Sequence, residues 1–124
     1  MTQQWPENLK ELYPLYETAL LESDVDTLMK MFWSSPEVMR FGVSENLYGT
    51  AELVAFRMGR PSMGLTRTVK PLDIVAFGKD VGSFTLGFER NAADGSVIQG
   101  RQSQMWVRMP EGWRIVAAHV PLLP

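Results

Sequence analysis

The spacing of apolar residues changes once along this chain of 124 residues, and the change limits the folds that the chain can adopt. Before about Thr66 the apolar residues recur every three to four positions, whereas beyond it they alternate with polar residues. The first pattern is typical of amphipathic helices and the second of strands with one buried face. Helices followed by antiparallel strands predict an α+β domain with helices packed on one face of a curved sheet, and we expect a single domain over residues 1–124.

The first half predicts three helices and two short strands. Pro14 interrupts the first helix, which predicts either a kink or a short helix joined to a longer one. Ser23 and Asp24 offer capping side chains to the second helix, and Thr50 is expected to cap the third. Between the second and third helices, the run 38–41 predicts one short strand, and residues 44–49 predict a turn into a second.

The second half predicts four long strands, of which the last two form a hairpin over residues 100–120. A turn at Met109–Gly112 would place Gln102 opposite His119 and Gln104 opposite Ala117. Gln102, Gln104 and His119 would then line the polar mouth of a pocket on the concave face. Two alternatives stay open: exposed glutamines with a histidine near the core, or a bulge that turns Arg101 and Ser103 inward.

Composition excludes several classes of function. The 12 basic and 14 acidic residues give a net charge of −2 and are scattered, so we expect no nucleic-acid partner. The chain has no cysteine and one histidine, which removes thiolate chemistry and multi-histidine metal sites, and no cofactor motif is found. No signal peptide and no apolar run of roughly 20 residues is present, which predicts a cytoplasmic protein without a membrane partner.

Four segments carry a resemblance to a known family: LYETALLESDVDTLMKMFW, VMRFGVSENLYG, AFRMGRPS and GRQSQMWVRMPEGWRIVAAHV. They resemble the oxalurate-catabolism proteins and the 1,3-dicarboxyurea amidohydrolase of cyanuric acid breakdown, from about Leu12 to Val120. The order of elements is similar to the cystatin-like cone of the nuclear transport factor 2 and SnoaL group. The resemblance implies a small hydrolase of a carboxylated urea or oxalurate-related compound.

The resemblance also implies a catalytic pair, which falls on Tyr16 and Arg40. A phenol can donate or accept a proton, and a guanidinium can hold a carboxylate through two parallel hydrogen bonds. From residue type alone, Tyr16 could equally be a core tyrosine with its hydroxyl at the rim, and Arg40 could point to solvent from an edge strand. Arg57 and Arg60 close the third helix, where cations complement the helix dipole. Arg60 is our candidate for a second carboxylate contact.

Two functions from different classes follow. The first is a cofactor-free hydrolase of a small carboxylate substrate in the catabolism of nitrogen compounds. The second is a noncatalytic accessory subunit that binds a partner amidase or a metabolite, because a fold alone does not determine chemistry.

A homodimer is also expected, because the helices can cover only one face of the sheet. Five apolar residues are expected on the other face, and a second copy would bury them. They are Met105, Val107, Val116, Ala118 and Val120.

Overall fold

The computed structural model describes residues 8–59 and 67–123 of the chain. Three helices and six strands occur in the order α1 (Leu9–Leu21), α2 (Val25–Met31), β1 (Met39–Phe41), β2 (Asn46–Tyr48), α3 (Gly49–Met58), β3 (Thr68–Phe77), β4 (Val81–Asn91), β5 (Val97–Met109) and β6 (Gly112–His119). The predicted α+β organisation, with three helices and four long strands, is confirmed. No helix among the described residues is long and apolar enough to cross a membrane.

The first two helices begin at side-chain caps. The Asn8 side chain accepts a hydrogen bond from the Lys10 backbone N–H at 3.0 Å, and α1 then continues through Pro14 as one helix. Asp24 caps α2 by accepting from the Thr27 backbone N–H at 3.2 Å, as the sequence predicted. Each cap satisfies a backbone donor that the first helical turn leaves without a partner.

The third helix begins differently from the prediction. Its N-cap is Tyr48, and Thr50 lies inside the first turn of α3. The Thr50 hydroxyl instead accepts a hydrogen bond from the Ser35 backbone N–H at 2.8 Å, which joins α3 to the loop after α2. Glu52 accepts from the Tyr48 backbone N–H at 2.9 Å and so supplies the cap from within the helix.

The six strands form one sheet in the order β2-β1-β6-β5-β4-β3. Every neighbouring pair is antiparallel except β1 and β6, which run parallel. The parallel pair brings Arg40 beside Ala118, although the two residues lie far apart in the chain. Periodicity cannot predict this pairing, because it reports only which residues of a strand share a face.

All three helices contribute to a core on the inner face of the sheet. Trp106 and Ile115 are fully buried there, and the ring of Phe84 lies 5.1 Å from that of Trp106. Tyr13 of α1 packs on Phe84 in a T-shaped arrangement, at 5.7 Å between ring centroids. Burial of apolar area stabilises a fold by roughly 25 cal/mol per Å². The contacts of this apolar layer therefore hold the helices on the sheet.

A bulge in β6 divides the last hairpin into two registers. The predicted turn at Met109–Gly112 is confirmed, but Met105 pairs with Ala117 and leaves Val116 without a partner. The expected pairing of Gln104 with Ala117 was therefore wrong, and Gln104 pairs with Ala118. The extra residue reverses the direction of the side chains that follow it. Ala118 is consequently buried on the inner face, so its expected place on the outer face was wrong.

Candidate functional site

A cavity of about 240 Å³ lies between α1, the end of α3 and the inner face of the sheet. Its lining comes from segments that lie far apart in the sequence: Tyr16, Leu20, Leu21, Arg40, Val43, Ser44, Glu45, Arg57, Arg67, Phe88, Arg90, Gln102, Val120 and Leu122. Val120 belongs to this lining, and its expected place on the outer face was therefore wrong as well. The cavity is the place where the chemistry-bearing residues of the inner face meet.

Four arginines and one glutamate line the cavity. The arginines are Arg40, Arg57, Arg67 and Arg90, and the acidic residue is Glu45. Guanidinium groups stay charged at all ordinary pH values, so the lining has a net positive charge. Such a lining favours a small anion, because its charges are held close together and partly away from water.

Arg40 extends from the short strand β1 and is buried, with 7% of its surface exposed. Its Nη1 donates to Glu45 Oε1 at 2.8 Å, and its Cζ lies 5.0 Å from the centroid of the Phe56 ring. Its Nε is buried without a hydrogen-bond partner among the described residues. Glu45 therefore fixes one side of the guanidinium and leaves donors that a ligand could use.

The environment of Glu45 keeps its carboxylate charged. Burial raises the pKa of Glu45, but the hydrogen bonds from Arg40 and from the Ser44 backbone lower it by more than burial raises it. The resulting pKa lies below the ordinary value. Gly42 makes this arrangement possible, because a Cβ at that position would collide with the Glu45 carboxylate. The ion pair thus depends on a residue without a side chain.

Tyr16 lies on the inner side of α1, with 2% of its surface exposed. It lines the cavity together with Arg40, and its hydroxyl has no hydrogen-bond partner among the described residues. The structure therefore brings the two residues of the expected catalytic pair to one site. Their roles remain predictions.

A second ion pair supports the opposite wall of the cavity. Arg67 donates to both carboxylate oxygens of Glu17, at 2.8 Å and 2.6 Å, and Tyr13 donates its hydroxyl to the same carboxylate at 2.9 Å. Burial lowers the pKa of Arg67, but Glu17 raises it above the ordinary value. Burial, followed by the bond to Glu17, raises the pKa of Tyr13. Arg67 therefore stays charged, and Tyr13 stays neutral, near neutral pH.

Gln102 and Gln104 both face inward on β5, as the hairpin predicted, and 3% of each is exposed. Only Gln102 lines the cavity, where its Oε1 accepts from Arg67 Nη1 at 3.2 Å. Gln104 accepts from the indole N–H of Trp106 at 3.0 Å, deeper in the core. The two glutamines lie on the same face and are equally buried, but only Gln102 is placed to contact a ligand in the cavity.

His119 does not lie at the mouth of this cavity, and that prediction was wrong. The bulge at Val116 pairs it with Ser103 and turns it to the outer face, where it is exposed. Its ring there contacts the edge of Phe41, at 6.3 Å between centroids. Arg60, the other candidate for substrate binding, lies outside the described residues.

Sequence reasoning missed three of the four arginines. Arg57 was noted only as a cation at the end of a helix, and Arg67 and Arg90 lie at strand ends, where an arginine carries no local signal.

The described part of the chain contains no group of three or more histidine, cysteine, aspartate or glutamate residues that could hold a metal ion.

Comparison with known proteins places this chain in a family. The model of the AtzH-like family matches residues 3–124, which is nearly the whole chain. No curated protein sequence matches the chain significantly.

Solved structures agree on the fold. A protein with unknown function from the DUF3225 family of Pectobacterium atrosepticum is 45% identical over 94% of this chain and 88% of its own, with a TM-score of 0.87. A cystatin-like fold protein from Burkholderia xenovorans is 32% identical over 94% of this chain and 91% of its own, with a TM-score of 0.80. A nuclear transport factor 2-like protein from Salmonella enterica is 27% identical over 92% and 87%, with a TM-score of 0.67. The predicted cystatin-like, nuclear transport factor 2-like fold is therefore confirmed.

Proposed function

The chain belongs to the AtzH-like family, and on that premise we propose that it is a small decarboxylating amidohydrolase. Its substrate would be a carboxylated urea or an oxalurate-related compound, and Tyr16 and Arg40 would be its catalytic pair. The observation that carries the proposal is the convergence of four arginines and one buried tyrosine on a single small cavity.

The size and charge of the cavity support this class of substrate. A volume of about 240 Å³ is below the roughly 300–1,000 Å³ of pockets that hold drug-sized ligands. A compact dicarboxylate fits both the volume and the excess of cations. Arg90 has no hydrogen bond or ion pair within residues 8–59 and 67–123, so its charge is available to a second carboxylate.

Arg40 would bind the carboxylate that is to be lost. It is held by Glu45 and Phe56 on one side, which reduces the freedom that it loses when a ligand binds. Its unpartnered Nε is one of the donors that such a carboxylate requires. A guanidinium fork orients a planar carboxylate as well as attracting it.

Tyr16 would supply the proton in the difficult step. As the bond between nitrogen and the carboxyl carbon breaks, its electron pair passes to the nitrogen, and the tyrosine hydroxyl gives that nitrogen a proton. The products are an amine-terminated urea and carbon dioxide, and the tyrosinate regains its proton from water. An amide anion leaves poorly, so protonation at this nitrogen is the step where a positioned acid helps most.

The test is turnover of N-carboxylated ureas and of oxalurate by the purified protein, with carbon dioxide and ammonia followed separately. We expect the wild type to release carbon dioxide from the N-carboxylated ureas, and we expect this release to be lost in Tyr16→Phe. Binding without turnover, both alone and with a candidate amidase present, would overturn the proposal in favour of the accessory subunit.

A further inference from the structure

Only the oxygen of the Gln102 side-chain amide has a hydrogen-bond partner among the described residues. Its Oε1 accepts from Arg67 at 3.2 Å, whereas its Nε2 is buried and has no hydrogen-bond partner among the described residues. A buried donor without a partner is unfavourable by about 1–3 kcal/mol. Because Gln102 also lines the cavity, a ligand can supply the missing acceptor.

The orientation of this amide is determined by its neighbour. Arginine carries only donors, so the oxygen of the amide must face Arg67 and the nitrogen must face away. Arg67 cannot easily turn, because Glu17 holds it through two hydrogen bonds. Its Cζ also lies 4.9 Å from the centroid of the Phe88 ring.

The position of Phe88 depends in turn on a glycine of the neighbouring strand. Phe88 pairs with Gly100, and a Cβ on Gly100 would collide with the Phe88 ring. Three features therefore fix the orientation of the Gln102 amide: the ion pair between Arg67 and Glu17, the face of the Phe88 ring, and the glycine that leaves room for that ring. Such a built arrangement is typical of a group that is oriented before its ligand arrives.

We propose that Gln102 Nε2 donates a hydrogen bond to a carbonyl oxygen next to the bond that is cleaved, so that this side chain sets a preference for substrates with such a carbonyl over other small dicarboxylates. This inference rests on the proposed function and adds a specificity-determining residue to it. Gln102 would touch the substrate, whereas Arg67 and Glu17 are positioning residues that act through it.

The reaction gives this hydrogen bond a use. When the nitrogen takes the electron pair of the broken bond, part of the negative charge spreads to the adjacent carbonyl oxygen. A donor aimed at that oxygen stabilises the charge while Tyr16 delivers the proton to the nitrogen. A simple carbamate has no such oxygen and would leave the buried amide without a partner.

The experiment compares two small dicarboxylates that differ at one group. One of them, 3-oxoglutarate, is a β-keto acid that slowly loses carbon dioxide in water and is therefore dissolved immediately before use. Glutarate and 3-oxoglutarate have the same carbon skeleton and two carboxylates, but only 3-oxoglutarate has a carbonyl midway between them. Isothermal titration calorimetry of the full chain gives the affinity of each. We expect the wild type to bind 3-oxoglutarate about tenfold more tightly than glutarate, as one well-placed hydrogen bond contributes.

Gln102→Met should remove this preference and leave the affinity for glutarate nearly unchanged. Gln104→Met is the matched control, because Gln104 has the same burial on the same strand but does not line the cavity. It should keep the tenfold preference. Should Gln102→Met fail to fold, Gln102→Glu keeps the shape, lacks the donor, and should also lose the preference, although both ligands bind more weakly to its added negative charge.

The positioning role is tested with Glu17→Gln, which removes one charge from the ion pair without touching the cavity lining. The preference for the carbonyl should fall while glutarate still binds. An unchanged preference would overturn the positioning role of Glu17.

The outcomes separate this inference from the proposed function. Equal binding of the two ligands by the wild type, or a preference that survives in Gln102→Met, overturns the inference and leaves a dicarboxylate site intact. Failure of the wild type to bind either ligand overturns both.

Discussion

The two faces of the sheet differ in where they hold polar and apolar side chains. Beside its apolar core, the inner face buries Arg40, Gln102 and Gln104, each less than a tenth exposed. The outer face leaves Val75, Met105 and Met39 exposed by 45%, 49% and 37%. Globular proteins seldom bury arginines without a function and seldom leave apolar rows uncovered.

The outer residues form a continuous row across five strands. Val75 pairs with Ser83, Ser83 with Met105, Met105 with Ala117, and Ala117 with Met39. The two faces are therefore suited to different partners. We expect a small polar ligand at the inner face and an apolar protein surface at the outer face. We propose, in keeping with the sequence, that a second copy of the chain covers the row.

The largest expected effect lies at the inner face. Tyr16→Phe should reduce turnover by about 10²–10⁴-fold, the range of a positioned general acid, because the ring still packs while the proton donor is lost. Steady-state kinetics on an N-carboxylated urea measures it, with Tyr48→Phe, an exposed tyrosine of β2, as control. Full activity in Tyr16→Phe would remove the tyrosine from the mechanism.

The second largest effect is expected at the outer face, where a charge at the centre of the outer row should prevent a second copy of the chain from covering it. Met105→Asp should convert a dimer to a monomer, because a carboxylate would have to be buried in an apolar interface without a partner. Light scattering at micromolar protein gives the mass. Met58→Asp, at an exposed position at the end of α3, is the control and should stay dimeric. A wild type with the mass of one chain would refute the dimer.

A smaller effect is expected when the inner charge is kept but its geometry is changed. Arg40→Lys should weaken binding of a dicarboxylate about tenfold and lower turnover, because an ammonium cannot reproduce the two parallel hydrogen bonds of a guanidinium. Calorimetry with glutarate and kinetics with substrate separate the two effects. Arg101→Lys, at an exposed position of β5, should change neither.

The smallest effect concerns the acid dependence of stability. The pKa of Glu45 is lower in the folded chain than its ordinary value, so its charge stabilises the fold above the unfolded pKa, and the contribution is lost as the pH falls through the folded pKa. Glu45→Gln should therefore lose less stability than the wild type on acidification below about pH 4. Urea denaturation across pH measures this, with exposed Glu37→Gln as control. Parallel curves for wild type and Glu45→Gln would contradict it.

Much of the fold could be predicted because the relevant signals are local. The change of apolar spacing near Thr66 predicted helices and strands in the right order, and the cap at Asp24 follows from residue type. Alternation along β5 likewise placed Gln102 and Gln104 on the inner face. The family resemblance directed attention to Tyr16 and Arg40, which composition and spacing alone would not have selected.

The sequence by itself determined which elements form and which face of β5 is inward, because periodicity is a property of neighbours along the chain. Tertiary structure alone decided the rest of the site. One unpaired residue, Val116, sends His119 outward, and Arg67 meets Glu17 across 50 positions of sequence. Neither event leaves a local pattern, since a bulge depends on the partner strand and a distant ion pair depends on the path of every loop between.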